Sequence, residues 1–355
     1  MFKKLGPLLK YFLPFVFMAI LVSGISSSIR QKKRILVLHS YHPEYAWTRD
    51  ITVGWKRQID VGNRGTIRYH YMDTKRFPDP DSKEKAAISA LNLIDRWGPD
   101  VIVTIDDDAQ ILVGTKFVDD PDVSIVYAGV NNDPARYGYF KANNVYGVKE
   151  NLVLEPFREA LSQHQRLKGS DEPVRIAHLS DWSSFSRSVS ESVRAYDWGE
   201  HDLVFSLECK TFEEWQQGLL RANQEADVVF ITNYHTLLPV AAEDADSGEK
   251  VRTVPGPDVI SWAAERVQLP MFGAWGFLVE DGGMMSLSVS PFEQGEKAAE
   301  LTNALISGGT IPRDKRHILN SEVLVFMRPQ RMEQWDWTLP NLYTSYARAT
   351  GNLYR

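Results

Sequence analysis

Apolar residues along this chain fall into two alternating textures. Short unbroken runs of β-branched and aliphatic residues are separated by longer stretches in which apolar positions recur at helical spacing. Residues 34–38, Val101–Ile105 and 123–127 are such runs, and 66–71 alternates like a strand. Between them 46–59 and 81–97 predict helices, the second capped by Asp81 or Ser82 and stopped by Gly98 and Pro99. A polar connector at 165–173 interrupts the pattern, which then resumes. Residues 174–179, 203–207 and Val228–Ile231 predict strands, and 184–196 a helix. Thr211 and Glu214 form a capping box that opens a helix to about Glu225. Ser290 and Glu293 form another, with Pro291 at the first helical position and Gly308–Gly309 as the stop. Segment 97–105 rhymes with 224–231, each a helix end, an Asp and a buried strand. Strands alternating with helices in this way predict βαβ units and mainly parallel sheets covered on both faces.

The first thirty residues break the texture. Lys3, Lys4 and Lys10 come without an acid, residues 11–25 are almost wholly apolar, and Ser26, Ser27 and Ser28 follow. A basic start, a short apolar run and small residues are the pattern of a secretory leader, here shorter than the ~20 residues that span a bilayer. Residues 1–28 are therefore expected to be a signal peptide cleaved near 22–24 or 26–28, and the protein to be exported to the periplasm. Arg30, Lys32, Lys33 and Arg34 lie just beyond, where positive charge opposes translocation. A retained N-terminal anchor is thus the alternative, and a buried helix a further one. No cysteine follows the run at a lipidation position.

At 355 residues the chain is long enough for two domains, and 43% hydrophobic with 24% charged residues is a soluble globular composition. The net charge of −6 becomes −9 without residues 1–28, which hold three lysines and no acid. An acidic chain argues against nucleic acid as a partner, because phosphate neutralisation needs clustered Lys and Arg. Cys209 is the only cysteine, which excludes internal disulfides and thiolate zinc sites.

In an open parallel sheet, ligands bind beyond the carboxyl ends of the strands. That rule selects His39, Ser40, Tyr41 and His42, then Asp106, Asp107 and Asp108, then Gly129, Asn131 and Asn132. In the second half it selects Ser180, Asp181 and Trp182, then Asn233 and Tyr234, then Trp275. Hydroxyls, amides, carboxylates and aromatics are the groups that grip a small polar solute. Plainer roles stand beside these: turn histidines, tryptophans packing a core, and an aspartate run capping the next helix. The aspartates also suit an amine or a hard cation. No P-loop, GxGxxG after the first strand, GxSxG elbow or HExxH occurs in the sequence.

Five segments carry a resemblance to a known family: ILVLHSYH at 35–42, PDVIVTI at 99–105, VYAGVN at 126–131, PMFG at 270–273, and the helix from Phe292 through Gly295 and Ala298–Ala299 to Gly308. Over roughly 34–328 the chain resembles the ABC-transporter substrate-binding family with the type I periplasmic binding fold, whose members also serve as sensor domains of histidine kinases. The resemblance implies two Rossmann-like lobes joined by three crossings, near 148–150, 284–290 and 311–320. Lobe 1 would comprise 34–148 and 290–310, lobe 2 149–289 and 311–340, and 341–355 a C-terminal tail. Solute would bind between the lobes. Known ligands in the family are often amino acids, some aromatic. The family's loops map onto Ser40 and Tyr41, Asp106 to Ala109, Gly129 and Asn131, Ser180 to Ser183, Asn233 and Gly273. Many relatives have small neutral residues where Asp106, Asp107 and Asp108 stand, which tilts the expectation to an amine or cationic solute.

The resulting expectation is a non-enzymatic solute-binding protein with no cofactor and no bound metal. It would capture a small polar, amino-acid or amine ligand for a membrane permease. Aromatics such as Tyr41 and Trp182 would stack on the solute while Asp106 or Asp107 pairs with its positive group. Two alternatives remain at this stage: a ligand-sensing subunit for a membrane histidine kinase or cyclase, and a metal-dependent hydrolase using Asp106–Asp108.

Overall fold

The computed structural model describes residues 14, 16–18, 32–62, 64–239 and 252–355. The expected leader, apart from Pro14 and residues 16–18, lies outside the described residues, as do 240–251. No described helix is long and apolar enough to cross a membrane.

Among the described residues there are twelve strands: β1 (Lys33–His39), β2 (Gly65–Tyr71), β3 (Val101–Ile105), β4 (Ser124–Val130), β5 (Val145–Lys149), β6 (Arg175–Asp181), β7 (Asp202–Cys209), β8 (Val228–Ile231), β9 (Met271–Gly273), β10 (Met285–Val289), β11 (His317–Leu319) and β12 (Val323–Met327), of which β1 to β4 and β6 to β8 stand where the sequence predicts them. They form two six-stranded sheets, ordered β11-β5-β4-β3-β1-β2 and β12-β10-β9-β8-β6-β7. Every pairing is parallel except β10 with β12.

Parallel strands bury both faces, and the first sheet shows how alternation divides them. Ile35 and Val37 face one way, against Ile51 and Trp55 of helix Ala46–Gln58. Leu36 and Leu38 face the other way, against Ala87, Ala90 and Ile94 of helix Pro80–Trp97. Helix Pro291–Ile306 returns to this first lobe and packs on Ala46–Gln58 so closely that backbones touch: a Cβ on Gly54 would collide with the Phe292 carbonyl, and one on Gly295 with the Ile51 carbonyl. In the second lobe Phe157 stacks on Phe230, ring centres 4.5 Å apart, and meets Phe272 at 4.9 Å.

Capping differs from the expectation in two places. Helix Pro80–Trp97 is capped by Asp79, which accepts from the Ser82 amide at 2.8 Å, because Pro80 takes the first helical position. The Thr211–Glu214 box forms in full, but the Ser290 box is only half made. Glu293 instead accepts from the amides of Ser321 and Glu322 at 2.9 and 2.8 Å, since that crossing segment brings unpaired donors alongside. Two further helices occupy sequence read as connector or loop or left unassigned, Glu155–Lys168 and Gly256–Arg266. The first hides its signal because its buried stripe, built on Phe157, Ala160 and Leu161, is narrow beside its polar surface.

The chain passes between lobes three times. It crosses after β5 at Glu150, between β10 and helix Pro291–Ile306 at Ser290, and between β11 and β12 at 320–322. The third crossing lies later than expected: β11 pairs with β5, so 317–319 belong to the first sheet and not to the second lobe. The crossings are tied side by side, Asn151 N donating to Asn320 Oδ1 at 2.8 Å and Ser290 N to the Glu322 carbonyl at 3.1 Å. The C-terminal tail at 341–355 packs against the second lobe. Helix Asn341–Ala349 precedes a return to the second lobe, where Tyr354 N donates to the Met327 carbonyl at 2.8 Å.

Candidate functional site

Carboxyl ends of strands from both sheets face each other across the crossings. Behind β1 come Tyr41, Tyr45 and Trp47; behind β2, Lys75; behind β3, Asp106; behind β4, Asn131; and behind β5, Glu150. The second lobe adds Phe185 beyond β6, Asn233 beyond β8, and Trp275 and Phe277 beyond β9. Together they line an interlobe cavity of about 20 Å³, room for roughly one water. The cleft is therefore seen closed. Tyr45, Lys75 and Phe277 also line an outer vestibule of about 370 Å³ at its mouth, flanked by Arg49, Arg76, Arg252 and Glu280.

Asp106 is the strained element. Its φ of 65° is rare for a residue with a side chain and costs ~1–3 kcal/mol. The Ala128 carbonyl holds its amide at 2.9 Å, and Gln110 Nε2 donates to its carbonyl at 3.1 Å. So held, Asp106 accepts from Trp47 Nε1 through Oδ1 at 2.9 Å, while the buried Oδ2 has no donor. Gly129 makes room, because a Cβ there would stand 3.0 Å from Asp106 Oδ1. Burial, then the nearby Glu150, pushes the Asp106 carboxyl well above the usual carboxylate range.

Lys75 lines the same cavity as Asp106. It is buried, and its ammonium rests over the rings of Tyr41, Phe185 and Tyr45 at 4.6, 4.7 and 5.1 Å with no hydrogen-bond acceptor. Desolvation lowers its pKa, opposed by Asp181 and Asp106. Asn233 adds a third buried atom without a partner, Nδ2. Glu150 joins the lobes, accepting from Asn131 Nδ2 at 3.1 Å and from Trp275 Nε1 at 2.5 Å. Its burial raises the pKa to about 8. At the mouth Arg49 pairs with Glu280 at 3.1 Å, and Tyr45 meets the His235 ring at 4.9 Å.

Of the residues chosen from sequence, Tyr41, Asp106, Asn131, Asn233 and Trp275 meet at this cavity. Several of the others hold loops. Ser40 Oγ donates to the Ile105 carbonyl and accepts from the Ala109 amide. Asp107 accepts from Asn131 N, Asn132 N, Asn132 Nδ2 and the Tyr137 hydroxyl, fixing the turn after β4. Asp108 pairs with Lys83 at 2.9 Å. The three neighbouring carboxylates thus diverge onto three different partners and do not form the common ligand set that the hydrolase alternative requires. Ser180 accepts from Thr232, and Asp181 takes donors from Ser183, Ser186 and Thr236. Trp182 points away from the cleft. Successive side chains alternate in direction at the end of β6, so the inward Asp181 turns Trp182 outward, half-exposed beside Lys210 and Arg187. His39 is core, stacked on Tyr71 and driven to a pKa of about 3 by burial.

Lys75, Tyr45, Glu150, Phe185 and Phe277, which also line the cavity, were not selected. The strand-end rule reaches Lys75 and Glu150 when applied to β2 and β5, two strands it was not applied to.

No protein-family model and no curated protein matches the sequence. Solved structures do match its shape. A conserved domain protein from Vibrio cholerae superposes with a TM-score of 0.63 at 16% identity, over 89% of this chain and 98% of that one. An ABC domain from Streptococcus pneumonia in complex with L-Trp gives 0.64 at 14%, over 90% and 100%. An ABC-transporter solute-binding protein from Agrobacterium vitis with bound D-fucose gives 0.54 at 14%, over 86% and 99%. The chain has the type I periplasmic binding fold. The Agrobacterium vitis neighbour is a solute-binding protein of an ABC transporter, in line with the resemblance. One neighbour carries an amino acid and another a sugar, so the shared fold leaves ligand chemistry to the side chains lining each cleft.

Proposed function

We propose that this is an exported solute-binding protein that closes two lobes over a small polar organic ligand with an apolar face and presents it to an ABC-type permease. The observation that carries the reading is the interlobe cavity, where three buried polar atoms, Lys75 Nζ, Asp106 Oδ2 and Asn233 Nδ2, stand without partners among aromatic walls. Unpaired buried polar groups are costly in a folded protein, and a ligand that pairs with them recovers that cost as affinity. Closure also removes water, which strengthens every polar contact inside. Hinge movement about the three crossings is the signal a membrane partner reads.

Thermal unfolding of the purified protein against amino acids, amines, sugars, nucleosides and divalent cations tests this. A ligand at ~100 times its Kd adds about 2.7 kcal/mol and raises Tm by several degrees. A rise with one organic class is expected. A rise with divalent cations alone would sink the proposal.

A further inference from the structure

Closing the two lobes buries more acid than base. Asp106, Glu150 and Lys75 all line the cavity of about 20 Å³ between them, and all three are buried. Among the described residues no cation bonds either carboxyl. Asp106 accepts from Trp47 Nε1, and Glu150 from Asn131 Nδ2 and Trp275 Nε1. Lys75 has no hydrogen-bond acceptor, and the acid acting most strongly on it is Asp181, outside the cavity. One ammonium thus stands against two buried carboxyls, and the groups around them do not make up the difference. Asp107 and Asp181 are held by neutral donors, Asp108 pairs with Lys83, and Arg49 and Arg76 are spent on Glu280 and Asp73. Burial holds His42 and His235 below their ordinary pKa and Tyr41 and Tyr45 above theirs, so all four are neutral at pH 7. Asp281 at the mouth, raised by burial to about 6, is mostly ionised there. A net negative charge shut into so dry a cavity is strongly unfavourable, and a proton removes it.

We infer that lobe closure takes up at least one proton, held by the Asp106–Glu150 pair, so that acid drives solute capture by this cleft. This rests on reading the cleft as one that opens to a solute. The crossing supplies the coupling. Glu150 N is fixed to the Val130 carbonyl of the first lobe at 3.0 Å, while Trp275 is held in the second, its carbonyl accepting from Ser286 Oγ at 2.8 Å. Parting the lobes therefore breaks the Trp275–Glu150 bond and returns water to both carboxyls. In the closed form burial raises both, Glu150 from 4.5 to about 8, and opening lets them fall back. Because the closed state holds the extra proton, it gains on the open state as pH falls and loses as pH rises through that interval. Affinity for an uncharged solute drops there by up to about tenfold per pH unit.

Locking the cleft without a solute tests this. Arg49 and Glu280 meet across the mouth at 3.1 Å, so Arg49→Cys with Glu280→Cys can be bridged by a short bis-maleimide. Cys209 is buried, its thiol pushed up to about 12, and stays out of the reaction. The comparison protein carries the same two cysteines, each capped singly. At pH 7 potentiometric titration should find about one proton or more in excess on the bridged full chain. Infrared spectra should show a protonated-carboxyl band that the capped chain lacks. Adding Asp106→Asn and Glu150→Gln together should abolish the difference, and Glu150→Gln alone should at least halve it. Equal proton counts in bridged and capped chains overturn the inference, as does an uptake that survives the double substitution. A solute that raises Tm while closure takes up no proton removes this inference and keeps the solute-binding reading. Uptake on bridging with no solute bound by the protein does the opposite.

Discussion

At the scale of single residues, Glu150 is the most informative titrating group. It sits on the first crossing, bonded to a side chain from each lobe, and water is excluded from it. Its carboxyl moves from an ordinary value of 4.5 to about 8 in the folded protein. A raised acid means that the folded state holds more protons than the unfolded state across that interval. The Glu150 contribution is therefore least unfavourable below pH 4.5 and becomes a burden as pH rises through 8, on the order of a few kcal/mol when complete. Glu150→Gln removes the titration and keeps one of the two acceptor oxygens, its amide nitrogen facing the other donor. Melting curves from pH 5 to 9 should show the wild type losing stability relative to this variant as pH rises. Parallel curves would mean that Glu150 titrates normally.

At the scale of elements, the seam between helices Ala46–Gln58 and Pro291–Ile306 matters more than either helix alone. The second helix follows the Ser290 crossing, so this seam anchors the returning segment to the first lobe. Gly295 lies against the Ile51 carbonyl and the Trp55 amide, both backbone groups that cannot rotate away. Alanine has the better helix propensity by ~1 kcal/mol, yet here its methyl forces the helices apart. Gly295→Ala is expected to cost ~1–3 kcal/mol net and lower Tm by several degrees, measured by thermal unfolding. An unchanged or raised Tm would show that the seam yields.

At the scale of the whole molecule, closure brings side chains of the two lobes together at the mouth of the cleft. The Arg49–Glu280 pair at the mouth is half-exposed on its arginine side, so it contributes less than ~1 kcal/mol and is screened by salt. Glu280→Gln should weaken ligand affinity by less than about fivefold at low salt, with the difference fading at high salt in paired titrations. A larger, salt-independent loss would place Glu280 in direct contact with ligand. The inner cavity takes about one water in this closed form, so the lobes must part to admit any organic solute.

Much of the fold was legible because it rests on local rules. The buried runs at 34–38, Val101–Ile105 and Val228–Ile231, the Thr211 capping box and the helix starting at Pro291 are short-range patterns, and each appears where it was read. The strand-end rule reached Tyr41, Asp106, Asn131, Asn233 and Trp275 for a related reason: parallel connectivity dictates which loops face the cleft. Sequence could not tell Asp106 from Asp107 and Asp108. All three are one run of identical residues, and only the positive φ at Asp106 sends its carboxylate to the cleft while its neighbours turn to Asn131 and Lys83. Nor could it bring Lys75 and Asp106, thirty-one positions apart on different strand ends, to one cavity, or set β11 beside β5. Local pattern determined the elements, their order and the class of fold, since helix and strand formation depend on near neighbours. Tertiary packing alone decided which charges lost their water and which of those kept no partner, because desolvation depends on what the rest of the chain brings alongside.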